Sequence, residues 1–120
     1  MLDFKTLHFW KRAYNLSLRI YEETKTFPKE ERYGLTSQIR RAAISIPINI
    51  SEGAGRNSNK EFANFLQIAI GSACEVECEL LLSKDFGYLN ETTYSTLTQE
   101  LVEIRKIIYA YRDNLLNNNS

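Results

Sequence analysis

Between Gly34 and Arg56, apolar and polar positions separate into two rows along one helix. Leu35, Ile39, Ala42 or Ala43, Ile46 and Ile50 recur at steps of three and four, the period of a single helix face. Gln38, Arg41, Ser45, Asn49, Glu52 and Arg56 keep the same spacing and are polar throughout. The pattern predicts one helix carrying an apolar stripe beside a polar one. Pro47 falls inside it, where it removes a backbone donor and crowds the Ala43 carbonyl, so a kink is expected there. Gly53 and Gly55 are expected to end the helix, because glycine accepts the left-handed conformation common at helix C-termini.

The flanking segments repeat this logic. Leu7 to Thr24 reads as a first helix with two apolar rows: Leu7, Trp10, Tyr14, Ser17 or Leu18, and Tyr21, then Phe9, Ala13, Leu16 and Ile20. Together they make an apolar arc wider than one neighbour needs, opposite a narrow polar face of His8, Arg12, Asn15 and Arg19. Phe27-Pro28 stops this helix, and Pro28-Lys29-Glu30-Glu31 suits an opening turn. Ser58 with Glu61 forms a capping box for a third helix, which runs to about Phe86 on Phe62, Phe65 or Leu66, Ala69, Ala73, Val76 and Leu80. Gly87 ends it. Asn90 caps a fourth helix, in which Tyr94, Leu97, Leu101, Ile104, Ile108, Tyr111 and Leu115 form a heptad seam. Four amphipathic helices joined by short turns imply an all-α, antiparallel up-down-up-down four-helix bundle over residues 1–116, with a disordered tail at 117–120. The excess apolar surface of the first and third helices points to an oligomer.

Composition narrows the classes. The 120 residues suit one domain, and few glycines and prolines disfavour a turn-rich sandwich. No apolar run approaches the roughly 18 residues of a membrane span, and the N-terminus lacks a signal-peptide layout, so a cytoplasmic protein is expected. Net charge is zero, yet residues 1–58 hold ten Lys/Arg against six Asp/Glu, while residues 59–120 hold five against nine. A basic front half suits either self-association or an anionic partner; neighbouring helices that neutralise each other would give the same count. Cys74 and Cys78 stand one helical turn apart, about 5–6 Å at Cβ, too far for a disulfide, which needs roughly 4 Å. They are expected to be small buried hydrophobes.

A tight turn near Ser58 should place the second and third helices side by side in opposite directions, pairing positions that sum to about 116. Arg41 then faces Glu75, Ser45 faces Gly71, Asn49 faces Gln67 and Glu52 faces Asn64. Ser72, Glu75 and Glu79 extend the polar row on the third helix. Buried pairs of this kind fix register while adding little net stability. As chemistry, Glu52 and Glu75 could be paired carboxylates, but the register separates them by several turns and no Glu-x-x-His element accompanies them. The ladder of Arg41, Ser45, Asn49, Glu52, Ser72 and Glu75 is therefore read as structural. His8 has no catalytic partner, and Gly53-Ala54-Gly55 lacks the strand and final glycine of a dinucleotide loop. No enzyme activity, cofactor or metal is expected.

The Gln-Ile-Arg-Arg-Ala-Ala…Ser-Ile-Pro…Asn-Ile…Glu-Gly core, Gly71-Ser72 with Glu75, and Lys84-Asp85-Phe86-Gly87-Tyr88-Leu89 carry a resemblance. The chain resembles, over nearly its whole length, the four-helix bundle family of proteins encoded in intervening sequences of bacterial 23S ribosomal RNA genes. Ser51 stands where that family commonly has alanine, and Ile44 and Cys78 are local variants. The resemblance implies a homopentamer enclosing a central channel. It also extends in fold to the accessory protein of diversity-generating retroelements, which assists a reverse transcriptase by binding nucleic acid. The resulting expectation is a non-enzymatic oligomeric module that binds RNA, DNA or a nucleoprotein partner. Lys11, Arg12, Arg19, Arg40 and Arg56 are the candidate phosphate contacts, because guanidinium groups suit phosphate recognition. A protein–protein scaffold is the alternative, with these arginines at subunit contacts.

Overall fold

The computed structural model describes residues 2–118. Four α-helices account for most of them: α1 at His8–Glu23, α2 at Leu35–Ala54, α3 at Asn59–Asp85 and α4 at Glu91–Asn117. Short 3-10 turns at Phe4–Thr6, Thr24–Thr26 and Lys29–Glu31 bracket α1 and lead into α2. No strand occurs among the described residues. Of the tail expected at 117–120, Asn117 closes α4, and residues 119–120 lie outside the described residues.

The helix ends follow from local chemistry. Ser58 Oγ accepts from the Glu61 amide at 3.1 Å, and Asn90 Oδ1 accepts from the Thr93 amide at 2.7 Å, so each cap satisfies a donor that the first turn leaves free. Glu61 completes only half of the box: its carboxylate accepts from the Ser58 hydroxyl at 3.3 Å instead of from the Ser58 amide. At the far end of α3, Gly87 takes φ +84°, where any side chain would strain. Its amide donates to Lys84 and the Tyr88 amide donates to Ser83, the paired closure that satisfies the last free carbonyls.

The end of α2 departs from expectation. Gly55 sits at φ −84°, in the right-handed region, so no left-handed glycine closes this helix. Gly53 is helical and buried. A Cβ there would stand 2.8 Å from Phe62 Cδ1 and 2.9 Å from Phe65 Cβ, so this glycine lets α2 and α3 approach closely. Gly71, placed opposite Ser45 by the sequence count, shows the reverse: it is exposed with nothing within 4 Å of a Cβ. Helix α2 continues across Pro47, which is buried.

α2 packs on α1 and α3, and α4 packs on α3 and α1, which closes a four-membered ring of contacts. Contacts fall from Gly53 to Ser45 along α2 as they rise from Phe62 to Ser72 along α3. The centre is filled by the predicted stripes: Ile39, Ile46 and Ile50 from α2, Leu66 and Val76 from α3, and Leu101, Ile104 and Ile108 from α4 are all excluded from solvent. α1 contributes Phe9, Ala13, Leu16 and Ile20, the second of its two apolar rows. The body measures 49 × 23 × 20 Å. No helix among the described residues is long and apolar enough to cross a membrane.

Candidate functional site

The five candidate phosphate contacts do not converge. Arg12, on the polar face of α1, reaches across to α4: Nε and Nη2 take both oxygens of Glu100 at 2.9 and 2.6 Å, and Nη2 lies 2.9 Å from Glu103. The bidentate hydrogen bonds raise the Arg12 pKa and hold that of Glu100 below the usual carboxylate range. Arg56 pairs with Glu52 at 3.1 Å and covers the Phe65 ring. Arg40 donates to Thr24 Oγ1 at 2.8 Å and to the Tyr21 carbonyl at 3.2 Å, with its guanidinium 4.0 Å from the Tyr21 ring centre. Lys11 and Arg19 alone stay exposed without a side-chain hydrogen bond or ion pair. The acids that occupy Arg12 lie almost ninety positions away on α4, and no periodicity within α1 announces them.

The polar ladder contracts to one crosslink. Ser45 Oγ and Ser72 Oγ meet at 2.8 Å, and Asn49 donates back to the Ser45 carbonyl and hydroxyl at 2.8 and 2.9 Å. Register is thus close to the expected count, with Ser72 rather than Gly71 opposite Ser45. Asn49 turns to its own helix and not to Gln67; Glu52 turns to Arg56 and not to Asn64. The Arg41–Glu75 ion pair is absent. Both residues are exposed, where water competes for each charge, and Arg41 makes no side-chain hydrogen bond or ion pair. The Glu75 carboxylate lies instead against Glu79, one turn along α3.

Glu79 is the charged residue whose burial the pattern did not expose: it is 4% accessible, and its Oε1 finds no partner. Burial first, then the neighbouring Glu75 carboxylate, push its pKa up to about 8. Cys74 and Cys78 also depart from expectation, since both thiols are exposed on the outer face of α3. Arg105, which pairs with Glu77 at 2.5 Å, brings Nη1 within 3.7 Å of the Cys74 sulfur. Among the described residues, no group of three or more His, Cys, Asp or Glu is placed to hold a metal.

An apolar groove lies between α1 and α2. Phe4, Trp10, Tyr14, Leu18, Ile44, Pro47 and Ile48 line an open groove of about 430 Å³. Trp10 stacks on Tyr14 at 5.1 Å, and Phe4 meets Trp10 edge-on at 4.9 Å, so the aromatic wall is ordered before anything binds. Tyr14, Leu18, Ile44 and Ile48 are each between 43% and 54% exposed. This is the first apolar row of α1, the half of the wide arc that the bundle leaves uncovered.

Known proteins agree with this architecture. A solved structure described as a protein with unknown function from the S23 ribosomal protein family of Bacteroides thetaiotaomicron VPI-5482 superposes with a TM-score of 0.81. It is 26% identical, over 88% of this chain and 95% of its own. No curated protein matches the chain. The profile of the 23S rRNA-intervening sequence protein family matches residues 5–110. This chain belongs to the 23S rRNA-intervening sequence protein family.

Proposed function

We propose that this protein is a non-catalytic, self-assembling scaffold, built as an antiparallel up-down-up-down bundle whose α1–α2 groove is covered by another copy. The observation that carries this reading is the uncovered apolar row on α1, which continues through Ile44 and Ile48 of α2. Monomeric proteins rarely leave so continuous an apolar face open to water, and desolvating it drives association. Five copies in a closed ring around a channel is the assembly that the family resemblance implies. Replacing Leu18 and Ile48 together by glutamate places charges in the contact without touching the core. The double variant should elute as a monomer with unchanged helical circular dichroism. An assembly that survives both charges would remove the groove from the interface.

A second reading, binding of RNA or DNA, keeps the support of Lys11 and Arg19, which are exposed on α1 without a hydrogen-bonded or ion-pair partner, although Arg19 lies near Glu100. Repetition around a ring would add avidity to weak single contacts. Filter binding to structured RNA and duplex DNA should then fall steeply with salt, and replacing Lys11 and Arg19 should flatten that slope. Failure to retain either nucleic acid at low salt leaves the scaffold alone.

A further inference from the structure

Where α1 gives way to α2, the chain encloses an open pocket of about 360 Å³. Lys25, Lys29, Arg32 and Arg40 line it, with Thr24 and Thr36 between them and Phe27 and Pro28 as an apolar wall. Half of the lining residues are cations, and no carboxylate is among them. Two of the acids nearby have partners of their own. Glu31 accepts from the Leu35 amide and from the Tyr88 hydroxyl, while Glu22 pairs with the lining residue Lys25 at 3.1 Å and takes up part of its charge. Lys29 and Arg32 have no ion pair.

Two further features point to a ligand. Arg40 is fixed in advance by Thr24, the Tyr21 carbonyl and the Tyr21 ring, which leaves guanidinium donors oriented without further loss of freedom. Thr36 is 8% exposed, and its Oγ1 is buried with no hydrogen-bond partner. A buried hydroxyl without a partner is costly, and Thr36 stands in the pocket wall. Thr36 also belongs to the first turn of α2, where the helix dipole favours negative charge.

We propose that this pocket binds a phosphate group, as inorganic phosphate or as a terminal phosphomonoester. It makes no use of the self-assembly reading, and its test is separate. Titration calorimetry at constant ionic strength would compare inorganic phosphate, uridine 5′-monophosphate and uridine. Both phosphates should bind saturably at one per chain and uridine should not. Affinity for both should drop on lowering pH from 7.5 to 5.5, as the dianion takes up a proton, near pH 6 for the nucleotide and at higher pH for inorganic phosphate. Lys29→Gln and Arg32→Gln, both at exposed positions, should each weaken binding about tenfold. Thr36→Val should leave thermal stability equal or higher, because the buried hydroxyl has no partner to lose. Equal affinity for the two phosphates assigns the site to phosphate itself; tighter binding of the nucleotide assigns it to a nucleotide end. Absence of saturable binding at millimolar phosphate overturns the proposal, as does binding that neither Lys29→Gln nor Arg32→Gln weakens.

Discussion

Glu79 and Gly53 show how single residues set the energetics of the bundle. Glu79 is held protonated by burial and by Glu75, with its pKa raised from 4.5 to about 8. Between those values the folded chain binds the proton that the unfolded chain has lost, so stability declines as pH rises through the window. Glu79→Gln removes the titrating group; urea melts should show it more stable by roughly 1–3 kcal/mol at pH 8 and by much less near pH 5. Glu100 has the opposite sign, since Arg12 lowers its pKa: its contribution stands at neutral pH and is lost in acid. At Gly53, alanine would gain helix propensity of about 1 kcal/mol but drive its methyl into Phe62 and Phe65. Gly53→Ala should therefore lose roughly 1–2 kcal/mol net by the same melts, as overpacked cores do. The glycine's presence was visible in the sequence, but its role was not. Its use depends on which phenylalanine of α3 lies opposite, and helix-end chemistry was the only local clue.

At the scale of elements, the helices were legible because each carries its own signal. The stripes of α2, α3 and α4, the Ser58 and Asn90 caps and the Gly87 stop all depend on residues within a few positions of one another. The Gly87 closure can be tested directly. Gly87→Ala should cost about 1–2 kcal/mol by thermal or urea unfolding, since the left-handed conformation at φ +84° remains while the Cβ penalty is added. Contacts between elements were less readable. Ser45 and Ser72 meet within one residue of the expected register, yet Arg41 and Glu75 do not pair, because at the exposed edge of the seam water satisfies both charges. Arg12 and its α4 acids, and the exposed Cys74 and Cys78, were likewise set by how α1, α3 and α4 rotate about their axes. A periodic sequence fixes which residues share a face, but leaves undecided how far each face is turned from solvent.

For the whole molecule, the arc on α1 carries the most information. Its two apolar rows have different fates: Phe9, Ala13, Leu16 and Ile20 enter the core, while Tyr14, Leu18 and Tyr21 remain outside it. A bundle whose first helix is apolar on two faces has spent only one of them on its own folding. The groove formed with Ile44 and Ile48 is the surface on which the scaffold reading rests. The charge asymmetry between the two halves has a partly internal use, since Arg12 of the front half is neutralised by Glu100 and Glu103 of the back half. The most direct measurement is sedimentation velocity of the unmodified protein over a range of micromolar concentrations. Self-assembly predicts a species several times the 13.9 kDa chain mass, persisting on dilution. A single 13.9 kDa species at every concentration would contradict it.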